Sequence, residues 1–244
     1  MLTDRELERY RRQIALFGEE AQERLGRARI VIVGAGGLGC PVALYLAAVG
    51  IGGIRLIDGD VVDRANLNRQ VLHGDRDVGR AKVESAAEKL RAQNPGIAIA
   101  ATHATLDEEN AALLAGGADL IIDATDNFPV RYILNRVALG ARVPLIHGAV
   151  RGFYGQATTI IPGRTACLEC IFPVAPPEED IVPVVGTTPG IIGLVQANEA
   201  IKYIIGTGDL LAGRLLVWDG RAATMTTLPV ERQEKCSACG NGRC

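Results

Sequence analysis

The chain has 244 residues, 48% of them apolar, and a formal net charge of −2. That much apolar material can bury a sizeable core and excludes an intrinsically disordered chain, while the near-neutral balance supplies no electrostatic footprint for nucleic acid or for an anionic membrane surface. The opening Leu2-Thr3-Asp4-Arg5 is not a basic-then-apolar leader and no uninterrupted apolar run approaches the roughly twenty residues of a membrane span, so a cytoplasmic protein is expected.

In chain order, Thr3 and Glu6 predict a capping box. Leu7, Tyr10 and Ile14 follow at helical spacing, so a helical arm over 1–25 is expected to dock its apolar face. Arg5, Arg9 and Arg12 share the opposite face, either as a solvated basic stripe or as cations offered to an anion. Over 26–150, apolar Val/Ile runs alternate with helical patterns, the sequence form of a Rossmann-like, doubly wound, mainly parallel α/β sheet with helices on both faces. Strands are predicted over 29–33, 54–58, 97–102, 120–124 and 144–148, and helices over 38–49, 80–93, 108–115 and 128–139. The breaker pair Asn94-Pro95 stops the second helix. Over 151–244 the texture changes to an antiparallel segment, with strands at 156–161, 214–218 and 223–228. A proline-dense stretch precedes a helix over 191–205. With no internal repeat, the whole of 1–244 is expected to form one domain.

The first strand empties into GAGGLG at 34–39. Gly34 allows a sharp turn, Gly36 and Gly37 leave the backbone open to an anion, and Gly39 lets the next helix pack on the strand. That helix offers its free N–H groups and positive dipole end to a phosphate. The motif does not say which nucleotide binds, and neither does Asp58 at the end of the second strand, because NAD and ATP both own a ribose. Asn66, Asn68 and Arg69, packed into four residues, are the discriminating feature. Hydride transfer has no use for them, whereas nucleotidyl transfer needs positioned cations and donors around a developing pyrophosphate. Lys82 adds a second cation, or else is an ordinary surface lysine. DATDN at 123–127 returns a carboxylate to the same edge of the sheet. Within it Asp126 is a candidate magnesium ligand or the N-cap of the helix starting at Phe128, with Asn127 beside it.

Taken together with VGRAKVES at 78–85, RYRRQI at 9–14 and GIIGLVQANEAIK at 190–202, these motifs resemble the ThiF/MoeB/HesA family of ubiquitin-activating-type adenylyltransferases, in one order along nearly the whole chain. The resemblance implies that Asp58 holds the ATP ribose, Arg69 and Lys82 the phosphates, and Asp126 the magnesium. It also implies a homodimer in which Arg12 of one subunit reaches the ATP bound by the other. The implied activity is adenylation of the C-terminal glycine of a small ubiquitin-fold sulfur carrier (MoaD- or ThiS-like, ending in Gly-Gly), with release of pyrophosphate, for sulfur incorporation in cofactor biosynthesis. Residues 151–244, with a crossover loop at 171–190, would receive the carrier. Two other readings stay open. An NAD-dependent oxidoreductase leaves Arg12, Arg69 and Lys82 idle, and a non-catalytic scaffold is expected to have lost some of Arg12, Arg69, Lys82 and Asp126.

Six cysteines in a cytosolic chain are poor material for a disulfide framework. Cys167-Leu-Glu-Cys170 and Cys236-Ser-Ala-Cys239 are two CxxC pairs, the composition of a closed structural zinc site. Their separation falls outside zinc-ribbon spacing, so buried free thiols or a redox pair remain the alternative, but the same pairs recur in MoeB-like members of the family. Many activating enzymes carry a nucleophilic cysteine in the crossover segment. Here 171–190 has none. Cys40, behind the phosphate loop, and Cys244, the last residue, are the other thiols. The departure favours a MoeB-like enzyme that stops at the acyl-adenylate.

Overall fold

In the computed structural model, which describes residues 1–177 and 182–240, the Val/Ile runs assemble into one eight-stranded sheet. The strands are β1 (Arg29–Val33), β2 (Gly53–Asp58), β3 (Ala98–His103), β4 (Leu120–Asp123), β5 (Leu145–Arg151), β6 (Tyr154–Ile160), β7 (Arg214–Asp219) and β8 (Thr224–Pro229). Their order is β3-β2-β1-β4-β5-β6-β7-β8. The first five are parallel, and the last three continue the sheet antiparallel. Around them lie α1 (Asp4–Arg9), α2 (Arg11–Arg27), α3 (Gly39–Val49), α4 (Lys82–Gln93), α5 (Ala111–Leu114), α6 (Phe128–Ala141), α7 (Leu168–Ile171) and α8 (Thr187–Ile205).

Helices cover both faces, so the inner strands are apolar at nearly every position, and successive side chains of one strand enter different cores. Ile30 and Ile32 of β1 join the core under α2, α3, α4 and α8. Val31 and Val33 join the core under α5, α6 and α7. Strand order reverses at β1, which is flanked by β2 on one side and β4 on the other. The helices leaving β1 and β4 therefore lie on opposite faces, and their divergence opens a crevice at the carboxyl ends of the strands.

Several boundaries differ from the sequence expectation. The helix expected over 108–115 is reduced to α5, because Asp107 Oδ1 accepts from the Glu109 and Asn110 N–H groups and holds 107–110 as a turn. The helix expected from residue 80 begins at Lys82, since Val61 and Ala81 form an antiparallel bridge that keeps 80–81 extended. Conversely, α8 starts four residues earlier than expected, at Thr187, and Pro189 is tolerated in its first turn, where a proline sacrifices no intrahelical bond. The capping box of Thr3 and Glu6 is present. The arm is nonetheless broken at Tyr10, whose hydroxyl oxygen accepts a hydrogen bond from Asn94 Nδ2, and again inside α2 at Gly18, where φ is +83°. Arg9 donates to the Gln93 carbonyl at the end of α4, so it is not free to serve an anion. Among the described residues no helix is long and apolar enough to cross a membrane.

The turn after β1 is the tightest point of the fold. Gly34 has φ +101°, and a Cβ on Gly39 would lie 1.8 Å from the Gly34 carbonyl oxygen. Gly39→Ala is expected to cost more than about 3 kcal/mol or to abolish soluble expression. Gly140→Ala, in α6 with nothing within 4 Å of the new methyl, should be neutral or stabilising by up to ~1 kcal/mol. Equal melting temperatures for Gly39→Ala and wild type would contradict this account of the turn.

Candidate active site

The crevice between α3 and α6 holds a cavity of about 250 Å³ lined by Gly34, Gly36, Gly37, Asp58, Arg69, Lys82, Asp126 and Asn127. Apolar walls come from Val33, Ile57, Leu106, Ala124 and Val130, and Val182, Val184 and Pro189 close it from the side of the crossover segment. Residues 178–181 of that segment lie outside the described residues.

Asp58 does two jobs in the backbone before any ligand arrives. Its Oδ2 accepts from the Ala35 N–H at 2.7 Å and its Oδ1 from the Asp60 N–H at 2.8 Å. Each carboxylate oxygen keeps a lone pair for an incoming hydroxyl. The phosphate loop is further fixed by the Gly34 N–H donating to the Ile57 carbonyl at 2.8 Å, and by His73 Nε2 and Cys40 Sγ on the Ala35 carbonyl at 3.0 and 3.4 Å. Burial pushes the Cys40 thiol up to about 12. That removes it as a nucleophile near neutral pH. Cys244 lies outside the described residues.

The two expected cations reach the crevice by different means. Arg69 Nη2 donates to Asn66 Oδ1 at 2.7 Å, and Nη1 donates to Asn68 Oδ1 at 3.0 Å and to the Ala65 carbonyl. Asn66 and Asn68 do not line the crevice themselves; they orient the guanidinium that does. Lys82 is buried, its side chain 6% exposed, and its Nζ pairs with Asp60 Oδ2 at 2.7 Å. It is therefore no ordinary surface lysine. Arg12, by contrast, is exposed on α2 and lines no part of this chain's crevice.

The DATDN turn divides its carboxylates. Asp123 is fully buried, accepting from His147 Nδ1 at 2.6 Å and from the Thr125 N–H and hydroxyl. Burial would raise its carboxyl, but the His147 bond together with the charge of Arg131 nearby keeps it below the usual range. Asp126 is exposed on the crevice rim. The helix cap is Asn127, whose Oδ1 accepts from the Val130 N–H at 3.1 Å, and not Asp126. This leaves the Asp126 carboxylate available for a cation.

The model of the ThiF family matches residues 10–238. The chain belongs to the ThiF family. It is 45% identical over 245 residues to the SAMP-activating enzyme E1 of Haloferax volcanii, a match that spans 97% of this chain and 90% of that protein. It is 41% identical over 252 residues to the sulfur carrier protein adenylyltransferase of Thermus thermophilus, spanning 98% and 93% respectively. Among solved structures, E. coli MccB with ATP superposes with a TM-score of 0.85 at 25% identity, covering 96% of this chain and 75% of that one.

On the face opposite α3, this ThiF-family chain gathers four buried cysteines. Cys167, Cys170, Cys236 and Cys239 place their sulfurs within 4.8 Å of one another, an arrangement that can hold a metal ion. Glu169, between the first pair, accepts from Ser237 Oγ at 2.7 Å and from Arg136 Nε at 3.1 Å, tying both CxxC loops to α6.

Sequence reading missed the support beneath the site. Asp60, Gln70, His73 and Arg131 all touch the crevice or its loops, and the one available signal was that Gln70 and His73 continue the run that carries Arg69. Asp77 anchors the turn that follows. Burial alone would raise its carboxyl, but the Lys89 ammonium and the Gly74 N–H hold it down to about 2. A folded value below the ordinary 3.8 means that its stabilising contribution is complete above about pH 4 and is lost as pH falls towards 2. Asp77→Asn should lower stability at pH 7 and flatten the acid loss between pH 4 and 2. Urea melts of both proteins across that range check this, and parallel curves would refute it.

Proposed function

We propose that this protein is an ATP- and magnesium-dependent adenylyltransferase that activates the C-terminal glycine of a ubiquitin-like sulfur carrier ending in Gly-Gly. The observation that carries the reading is the convergence of Arg69 and Lys82 with Asp58 and Asp126 on the crevice of the glycine loop. The Thermus relative is a sulfur carrier protein adenylyltransferase, which supports this choice of substrate. The oxidoreductase and scaffold readings are not favoured by such relatives.

Asp58 accepts from the ribose hydroxyls, and the open backbone of Gly36 and Gly37, held in place by the tight Gly34–Gly39 contact, receives the phosphates at the start of α3. Arg69, oriented by Asn66 and Asn68, and Lys82, released from the exposed Asp60 carboxylate, balance the charge that builds on the polyphosphate. Asp126, with Asn127 beside it, would hold magnesium, since one carboxylate together with phosphate oxygens suits that ion. When bound, magnesium supplies charge neutralisation of the leaving pyrophosphate. The carrier's carboxylate is ionised at pH 7 and needs no general base. Its oxygen bonds to the α-phosphorus as the bond to the pyrophosphate oxygen breaks. Arg12 is exposed and outside its own crevice, consistent with a homodimer in which the partner subunit's Arg12 completes the site. We read 1–244 as one cytoplasmic adenylation unit, with nucleotide binding in 26–150 and carrier binding in 151–244.

With no thiol in 171–190 and Cys40 buried and protonated, the reaction ends at the acyl-adenylate. Labelled pyrophosphate should exchange into ATP only when a carrier is present, and the Cys40→Ser, Cys244→Ser double variant should exchange at the wild-type rate. No reductant-sensitive carrier adduct should form. Exchange without carrier, or an adduct mapped to either cysteine, would overturn this reading.

We further read the cysteine cluster as a zinc site. Tetrahedral Zn–S bonds of about 2.3 Å set sulfurs roughly 3.8 Å apart, and the contacts here are 3.8, 3.6 and 3.4 Å. A closed set of four thiolates serves folding and leaves no position for chemistry. Elemental analysis of protein purified without chelators should find one zinc per chain, and Cys236→Ser should lose it together with several degrees of melting temperature. Metal-free protein of unchanged stability would reject the site.

A further inference from the structure

The phosphate loop is gripped at one residue, Ala35, in a way the proposed chemistry does not yet explain. The Ala35 N–H is taken by Asp58. Its carbonyl is drawn into the interior by His73 Nε2, 3.0 Å away. His73 is buried, 7% exposed, and both its nitrogens are engaged. A carbonyl can only accept, so Nε2 carries the proton, and Nδ1 must accept from Ser85 Oγ at 2.9 Å. Ser85 Oγ in turn receives Lys89 Nζ at 2.9 Å, and Lys89 is paired with Asp77. Lys89, Ser85 and His73 thus form one run of hydrogen bonds beneath the Ala35 carbonyl.

No peptide bond among the described residues is cis, and in a trans peptide the N–H points opposite to the C=O. Holding the Ala35 carbonyl inward therefore turns the Gly36 N–H outward, towards the crevice that Gly36 lines. Glycine backbone is permissive, so this peptide could otherwise rotate and present a carbonyl oxygen to the phosphates. We infer that His73 is a positioning residue that locks the Ala35–Gly36 peptide with its N–H facing the nucleotide phosphates. The inference rests on the nucleotide reading above, and it adds a residue whose effect is confined to the anionic part of the ligand.

The test compares ATP with adenosine, each titrated against wild type, His73→Phe and His73→Gln. His73→Phe keeps a flat aromatic ring but loses the donor to Ala35 and the acceptor for Ser85. It should bind ATP with magnesium about ten- to hundredfold more weakly, the worth of one charge-assisted hydrogen bond, with adenosine affinity unchanged. His73→Gln, whose amide nitrogen can donate again, should recover most of the loss. Wild-type ATP affinity in His73→Phe, or an equal and unrescued loss for both ligands, would overturn the lock. Failure of wild type itself to bind ATP would instead count against the nucleotide reading. Nitrogen NMR of the wild-type imidazole needs neither variant nor ligand: the Nε2–H tautomer is expected, and an Nδ1–H tautomer would remove the proposal.

Discussion

The contact on which the site depends is between two backbones: Gly39 at the start of α3 lies against the carbonyl of Gly34 at the end of β1, with no room for a methyl group between them. That approach brings the helix N-terminus directly over the strand end. It aims unpaired N–H groups into the crevice created by the reversal of strand order at β1. Asp58 then ties the loop to β2 through the Ala35 N–H, and the DATDN turn closes the other wall from β4. An anion site follows from these contacts before any charged side chain is considered.

The cations are added in a form suited to phosphate. Arg69 is oriented by two uncharged amide oxygens and a carbonyl, which fix the guanidinium without neutralising it. Lys82 keeps a carboxylate partner, but that partner, Asp60, is 70% exposed and can be left to water when a phosphate takes the ammonium. Both arrangements are paid in advance by folding, which is the physical meaning of electrostatic preorganisation. The cysteine cluster stands apart from this chemistry yet shares α6 with it, through Glu169 at Arg136 and Asn127 at the helix cap.

The strands were legible within one to three residues, the inner ones because helices on both faces demand continuous Val/Ile runs, and the glycine turn because only one residue type survives there. Helix ends were not legible where side chains or distant backbone compete for the first donors. Asp107 does so at 107–110, and the Val61 bridge does so at Ala81. Asp58, Arg69, Lys82 and Asp126 stood out in the sequence as charged residues in the segments that flank the glycine loop, and all four line the crevice. The roles of Asp123, buried on His147, and of His73, beneath Ala35, depend on contacts between segments far apart in sequence. Local pattern does not show such contacts, although His73 continues the run that carries Arg69. Asn66 and Asn68 were visible as residues but not as what they are, the holders of Arg69.

The central claim is that the glycine loop with its two cations is built for a triphosphate and not for a dinucleotide. Calorimetric titration of the purified protein with ATP and magnesium, and separately with NAD, tests it most directly. The account predicts saturable binding of ATP that weakens when Asp58 or Arg69 is replaced by alanine, and no measurable heat for NAD. Tight NAD binding with none for ATP would contradict it.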